Sequence, residues 1–200
     1  MNVLKKLWCW VRWPLAVLVV AYIALVLYRI PAVGEQQRTT EAIAKIQAAK
    51  INLSTVMGTN LPPQPYKPEN EATVAGLDKN GNGIRDDVEL AIFALYPKSA
   101  KIRAAELQYA MTEQMFLTDV FNKETWKAVA KQQSRAFACV GDTIPGKDLK
   151  ALSARIKEVE DLVQNNSERK SAYDKAFDFT TSNSLANFNF CDVDLASLPN

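Results

Sequence analysis

The sequence predicts an all-α protein: an N-terminal transmembrane helix, then a helical domain of four to five helices with one oxygen-lined loop near its start. Three observations predict it. Trp13 to Tyr28 reads without a single charge, between Arg12 and Arg29. Beyond residue 86 the apolar residues recur at helical spacing, punctuated by Asn, Ser, Gly and Pro. No segment carries convincing strand alternation, and no internal repeat is present.

The apolar run comes first. From Trp13 to Tyr28 it covers roughly 24 Å as a helix, slightly short of a hydrocarbon core of about 30 Å. Trp10, Val11 and Ile30 extend it, and Arg12 can snorkel to the headgroups. Trp8, Trp10, Trp13 and Tyr28 stand where interfacial aromatics stand. The membrane is therefore expected to be engaged through residues 13–30. Lys5, Lys6 and Arg12 precede the run, which places the N-terminus in the cytoplasm and exports the chain beyond about residue 30. A cleaved signal is the rival reading, since Ala32-Val33-Gly34 offers small residues three and one before Glu35. Arg29 fits that reading badly. Cys9 is preceded by Leu7-Trp8, not by the small residues of a lipid-attachment box. The expected division is 1–34 as cytoplasmic tip and anchor, 35–68 as stalk helix and proline-rich linker, and 69–200 as the helical domain.

Outside the anchor the chain carries 20 basic and 22 acidic residues, a net charge of −2. The basic residues are scattered, so no nucleic-acid footprint is expected. Histidine is absent. This excludes Ser-His-Asp and Cys-His catalysis and any imidazole-ligated metal. Of three cysteines, Cys139 and Cys191 fall in the exported part, and an oxidising compartment predicts a disulfide between them. Neither has a histidine or a Cys-x-x-Cys partner that would make it a nucleophile.

Residues 35–57 read as a helix carrying Ile43, Ile46, Ile51, Leu53 and Val56, stopped by Gly58 and Asn60. Leu61 to Pro68 holds four prolines and reads as an extended connector, with a proline-rich recognition ligand as the alternative. Asp87 to Tyr96 is helical and stops before Pro97. Ser99 caps a helix through Ile102, Ala105, Tyr109, Phe116 and Val120. Asn122 starts another, with Trp126, Val129, Phe137 and Val140 on one face, before a turn from Gly141 to Gly146. Asp148 opens a seam of Leu149, Leu152, Ile156, Val159 and Val163, expected to pack within the chain. Ser167 caps a last helix, and Phe188-Asn189-Phe190-Cys191 reads as extended.

One stretch carries specific chemistry: Asp78-Lys79-Asn80-Gly81-Asn82-Gly83-Ile84-Arg85-Asp86-Asp87-Val88-Glu89. Oxygen side chains occupy its first, third, fifth, ninth and twelfth places, and glycine its sixth. A hard cation takes six to eight oxygens, at about 2.3–2.6 Å for calcium. Asp78, Asn80 and Asn82 alternate inward, Gly83 allows the sharp turn, and Ile84 offers its carbonyl. Asp86 would bind directly or through water, and Glu89 would close the site bidentately. Asp87 reads as a carboxylate at a helix N-terminus. The stretch resembles an EF-hand loop, and more closely the calcium loops of thrombospondin type 3 repeats and exported bacterial proteins. The resemblance implies a calcium site over residues 78–89 and nothing for the rest of the chain. Arg85 stands where paired EF-hands place an aliphatic residue, and the prolines leave little room for an incoming helix. Both point to a solitary loop. Asn80 and Asn82 leave three ligand carboxylates, with the cations Lys79 and Arg85 nearby, so weak affinity is expected, about 10⁻⁴ to 10⁻³ M. The bland alternative is an Asn-Gly turn before a capped helix.

These features support two classes of function. The first is an anchored extracytoplasmic helical module with a structural calcium loop, serving an envelope assembly or a protein partner; the same module without metal is its variant. The second is a glycan hydrolase working through two carboxylates roughly 5 to 9.5 Å apart. Glu106, Glu113, Asp119 and Glu158 are candidates for it, and no spacing singles out a pair. A pilin-like subunit is not expected, because the hydrophobic segment lacks the processing glycine and following glutamate.

Overall fold

The computed structural model describes residues 2–182 and 190–199, with side chains described from Arg12 onward except Pro31. The side chains of Trp8 and Trp10, and the extended segment expected at Phe188 and Asn189, lie outside the described residues. Among the described residues there are eight α-helices and no strand. The chain divides into two compact units, Met1–Glu41 and Ala42–Asn200.

Helix α1 spans Asn2–Ala48. It is long and apolar enough to cross a membrane, with a mean hydropathy of 2.2 in its most apolar window. Trp13, Leu18, Ile23 and Leu27 all leave more than half of their surface exposed. The sequence reading separated this anchor from a stalk helix beginning at 35; the structure runs one helix through both. Gly34 alone does not stop a helix when good formers follow it, and Pro31 removes only one hydrogen bond.

The second unit begins within what the sequence reading treated as stalk and linker. Ile46, Ile51 and Val56 are 1%, 3% and 0% exposed, so this stretch belongs to the core. Asn52 caps the single-turn helix α2, Leu53–Met57, by accepting from the Thr55 N–H at 2.9 Å. The proline run then leads into α3, Lys67–Glu71, with a proline in its first turn where no donor is lost.

Five longer helices complete the unit: α4 Asp86–Leu95, α5 Ala100–Thr118, α6 Lys123–Asp142, α7 Leu149–Val163 and α8 Ser167–Phe177. The expected caps at Ser99, Asn122 and Asp148 are present, and at Asn122 the Thr125 side chain reciprocates to complete a capping box. The last helix is capped one residue earlier than expected, by Asn166, which accepts from the Arg169 N–H at 2.9 Å. Val120, expected on the α5 face, falls beyond that helix. On α7, Ile156, Val159 and Val163 are buried as the seam requires, while Leu149 is exposed.

Helix α5 is the axis of the unit, packed by α2, α4, α6, α7 and α8. Every residue from Arg103 to Phe116 is buried. Covered all round, it is an interior helix rather than one with a single apolar stripe. Its polar side chains are therefore held by partners. Arg103 donates to the carbonyls of Val56, Tyr96 and Pro97 and stacks on Phe93. Gln108 grips the C-terminal tail, donating to the Phe190 carbonyl and accepting from the Asp192 N–H.

The tail is fixed further by the Cys139–Cys191 disulfide, which closes a sequence separation of 52. Asp192 then accepts from the Ile51 N–H at 3.1 Å and from Arg135 at 2.8 Å. One end of the chain thus ties the start of the domain to α5 and α6.

Candidate metal centre

Residues 78–89 form a loop running into the first turn of α4, closed at its base by the Asp86 N–H donating to the Leu77 carbonyl at 2.8 Å. The alternating oxygens fold the loop on itself. Asp78 accepts from the N–H groups of Asn82 (3.1 Å) and Gly83 (2.8 Å), Asn82 accepts from the Ile84 N–H (2.9 Å), and Asp86 accepts from the Lys79 N–H (2.9 Å). Gly83 has φ 84°, the left-handed conformation anticipated from its place in the motif.

Burial is graded across the loop. Asp78 is exposed, Asn80 and Asn82 are half-buried, and Asp86 and Glu89 are 0% and 1% exposed. Burial pushes the carboxyl groups of both Asp86 and Glu89 up. For Glu89, the Asn80 and Asn82 amides pull the other way, while the charges of Asp78 and Asp86 push further up. For Asp86, the Lys79 N–H opposes the shift and the charge of Asp78 adds to it. The Oδ2 of Asp86 is buried without a hydrogen-bond partner.

The donor set suits a hard cation: Asp78, Asn80, Asn82, Asp86, Glu89 and the Ile84 carbonyl supply oxygen alone. In this conformation the geometry is not yet that of a filled site. Asn80 turns its amide nitrogen toward Glu89 (2.9 Å) and the Asn60 carbonyl (3.0 Å). Among the described residues no three acidic or cysteine side chains converge as a metal cluster. A cation here would require the Asn80 amide to rotate and present its oxygen.

Arg85 is placed differently from the sequence expectation. The sequence counted it as a cation beside the loop oxygens; its side chain is fully buried in the domain instead. It donates to the carbonyls of Leu162 (2.8 Å) and Val163 (3.0 Å) at the end of α7, and to Asp87 (2.5 Å). A cation at a helix C-terminus, bonded to its last carbonyls, is favourable. Asp87 also accepts from the Val88 N–H at 3.0 Å, so it serves the α4 N-terminus and Arg85 together. Gly76, with φ 68°, makes room for this: a Cβ there would come within 2.2 Å of the Arg85 Cδ.

A second buried arginine was not anticipated. Arg169 of α8 is fully buried and donates to the carbonyls of Asn70 (2.5 Å), Thr73 (3.3 Å) and Val74 (3.1 Å) and to the Asn165 side chain (2.7 Å). Arg85 and Arg169 together lock the loop and its lead-in to the α7–α8 corner. No spacing in α8 distinguishes Arg169 from a surface residue of a short helix.

The four acids considered for hydrolysis are all engaged, and Glu106 and Glu158 share the surroundings of Arg155 and Tyr96. Asp119 pairs with Lys45, Glu158 accepts from the Tyr96 hydroxyl, and Glu106 lies against the Arg155 guanidinium. Glu113 accepts from Gln133 at 2.6 Å, beside Tyr109, Tyr173 and Glu160. Glu106 and Glu113 are fully buried, and burial lifts each carboxyl from its ordinary 4.5 to about 7.

For Glu113 this predicts a pH dependence. The folded-state value is raised, so its contribution to stability is complete below about pH 4 and is lost as pH rises through 7. Between pH 5 and 8 the loss is on the order of 3 kcal/mol at most. Glu106 acts in the same direction. Glu113→Gln is therefore expected to flatten the stability–pH profile over that interval, read from denaturation midpoints. An unchanged slope would remove the inference.

Compared with known proteins, the chain matches no family model, no curated protein and no solved structure.

Proposed function

We propose that this chain is a membrane-anchored, extracytoplasmic helical module whose loop at 78–89 binds calcium as a structural brace. Its role is to hold a protein partner in an envelope assembly. The observation carrying the calcium reading is the pair of buried carboxylates, Asp86 and Glu89, with Asp86 Oδ2 unpartnered. Buried negative charge without a counter-charge is costly, and a divalent cation relieves it. Oxygens that already accept one loop N–H keep further lone pairs for an ion.

The buried arginines support a brace over a sensor. With Arg85 and Arg169 pinning both sides of the loop, ion binding tightens an existing arrangement. Three ligand carboxylates, two of them already disfavoured as anions by burial, keep the affinity weak.

Thermal unfolding of the full chain in detergent, with calcium and with chelator, tests the loop. At 10 to 100 times a dissociation constant of about 10⁻⁴ to 10⁻³ M, the stabilisation is about 1.4–2.7 kcal/mol. That corresponds to a rise of roughly 3–10 °C. Asp78→Asn removes the charge, keeps one of the two oxygens that accept from the Asn82 and Gly83 N–H groups, and is expected to remove most of the rise. A melting temperature indifferent to calcium would leave the same module with no metal.

A further inference from the structure

One group from outside residues 78–89 reaches the oxygens of the loop. Asn60 lies in the turn after α2, and its carbonyl accepts from Asn80 Nδ2 at 3.0 Å across a separation of 20 residues. The same Nδ2 donates to Glu89 Oε2 at 2.9 Å. A single NH₂ group therefore stands between a carboxylate of the loop and a carbonyl that does not belong to it. The carbonyl is held there by the end of α2: Gly58, with φ 71°, lets the chain reverse, and the Thr59 N–H closes on the Ser54 carbonyl at 3.1 Å.

A cation in the loop requires the Asn80 amide to rotate. Rotation puts an oxygen where the nitrogen stood, facing the Glu89 carboxylate and the Asn60 carbonyl with no proton between them. Oxygens so close repel unless a cation lies among them. Ligands about 2.3–2.6 Å from one calcium ion stand roughly 3 to 3.5 Å from each other, close to the spacing around Asn80 Nδ2. The rotation gives up little on its other side, because the Asn82 N–H that reaches Asn80 Oδ1 at 3.3 Å also donates to Asp78 at 3.1 Å. Access is open. Asn60 and Gly81 are exposed, and a Cβ on Gly81 would meet nothing within 4 Å.

We propose that the Asn60 carbonyl is a further calcium ligand, supplied from outside the loop. This rests on the calcium reading of residues 78–89 and names where the site is completed. A neutral carbonyl adds an oxygen without adding charge, in keeping with weak affinity. Calcium takes six to eight oxygens, whereas magnesium demands a near-ideal octahedron, so the added ligand favours the larger ion. It also gives the brace its second end: the ion fastens the turn after α2 to the first turn of α4.

Carbonyl NMR of the full chain in detergent tests this, with ¹³C′-asparagine and ¹⁵N-leucine as the only labels. Asparagine precedes leucine at two places, Asn52-Leu53 and Asn60-Leu61, so a spectrum filtered for that bond holds two signals. Asn52→Ser removes one of them and keeps a helix cap, which assigns both. Calcium is titrated through and beyond about 10⁻³ M, and melting is followed in the same samples. The proposal expects the Asn60 carbonyl to move downfield and saturate together with the rise in melting temperature, while Asn52 stays in place. A carbonyl that merely loses the Asn80 donor moves upfield. An upfield shift, or none, alongside a melting rise would overturn the proposal and leave the calcium loop standing. So would a shift of both signals alike, or an equal Asn60 shift with magnesium. If neither the melting temperature nor the Asn60 signal responds to calcium, the calcium reading itself fails and this ligand with it.

Discussion

Arg169→Met is expected to destabilise the helical domain by about 3–5 kcal/mol, lowering its melting temperature by roughly 10 °C or more. The side chain is fully buried, and its guanidinium donates to three backbone carbonyls and to Asn165. Methionine fills much of the volume and supplies no donor. The carbonyls of Asn70, Thr73 and Val74 would lose a charge-assisted partner inside the protein, the costly half of removing a hydrogen bond. Lysine keeps the charge without the planar fork and cannot reach several carbonyls at once, so Arg169→Lys should recover only part of the loss. Lys175→Met, on the exposed side of the same helix, is the control and should stay within about 0.5 kcal/mol. Urea denaturation of the full chain reads all three. A loss below about 1 kcal/mol for Arg169→Met would mean that the carbonyls find other partners.

Reduction of the Cys139–Cys191 disulfide, or its replacement by two alanines, is expected to cost about 4 kcal/mol. That cost reflects the chain entropy that a closure of 52 residues removes from the unfolded state. The folded tail should nevertheless stay in place. Asp192 remains held by Ile51 and Arg135, and Gln108 still bonds the backbone on both sides of Cys191. The two effects separate experimentally. Denaturation midpoints with and without reductant read the stability loss, and hydrogen exchange at the Asp192 amide reads whether the tail is released. A midpoint unchanged by reductant would contradict the prediction. An Asp192 amide that exchanges as freely as an exposed tail would show that the bond, not its neighbours, holds the segment.

The two predictions draw on features of unequal legibility. The disulfide could be read from the sequence because elimination works for cysteines: with no histidine and only two thiols beyond the apolar N-terminal segment, few chemistries remain. The caps at Ser99, Asn122 and Asp148 were legible for a different reason. A side chain that accepts from an N–H two or three residues on acts locally, so its identity and place are sufficient. Even this had a limit at α8, where Asn166 and Ser167 are both good caps and only the backbone decides between them. The loop at 78–89 was legible as a spacing of oxygens around a glycine, again a local property.

Arg85 and Arg169 were not legible. The sequence marks both as charged and gives no sign of burial, because their partners are carbonyls 77, 78 and more than 90 residues away. The same holds for α5. The sequence marks a helix through Ile102, Ala105, Tyr109 and Phe116 and carries no measure of how far round it is covered. It is in fact enclosed on all sides, and Arg103, Gln108 and Glu113 are tolerated there only because other elements bring partners. The start of the domain was misplaced for a related reason: prolines and glycines mark where a helix stops and say nothing about which residues the core recruits.

By itself the sequence determined the helical class, an N-terminal segment apolar enough for a membrane, most helix starts, the cysteine pair and the oxygen pattern of the loop. Each is written in residues close together or in elimination among very few. Tertiary structure alone decided that α1 runs unbroken to Ala48 and that α5 is the axis. It also decided that Arg85 turns away from the loop to hold the end of α7. Those outcomes depend on which distant groups meet in a dry interior, where a charge or an amide settles according to the partners the fold supplies.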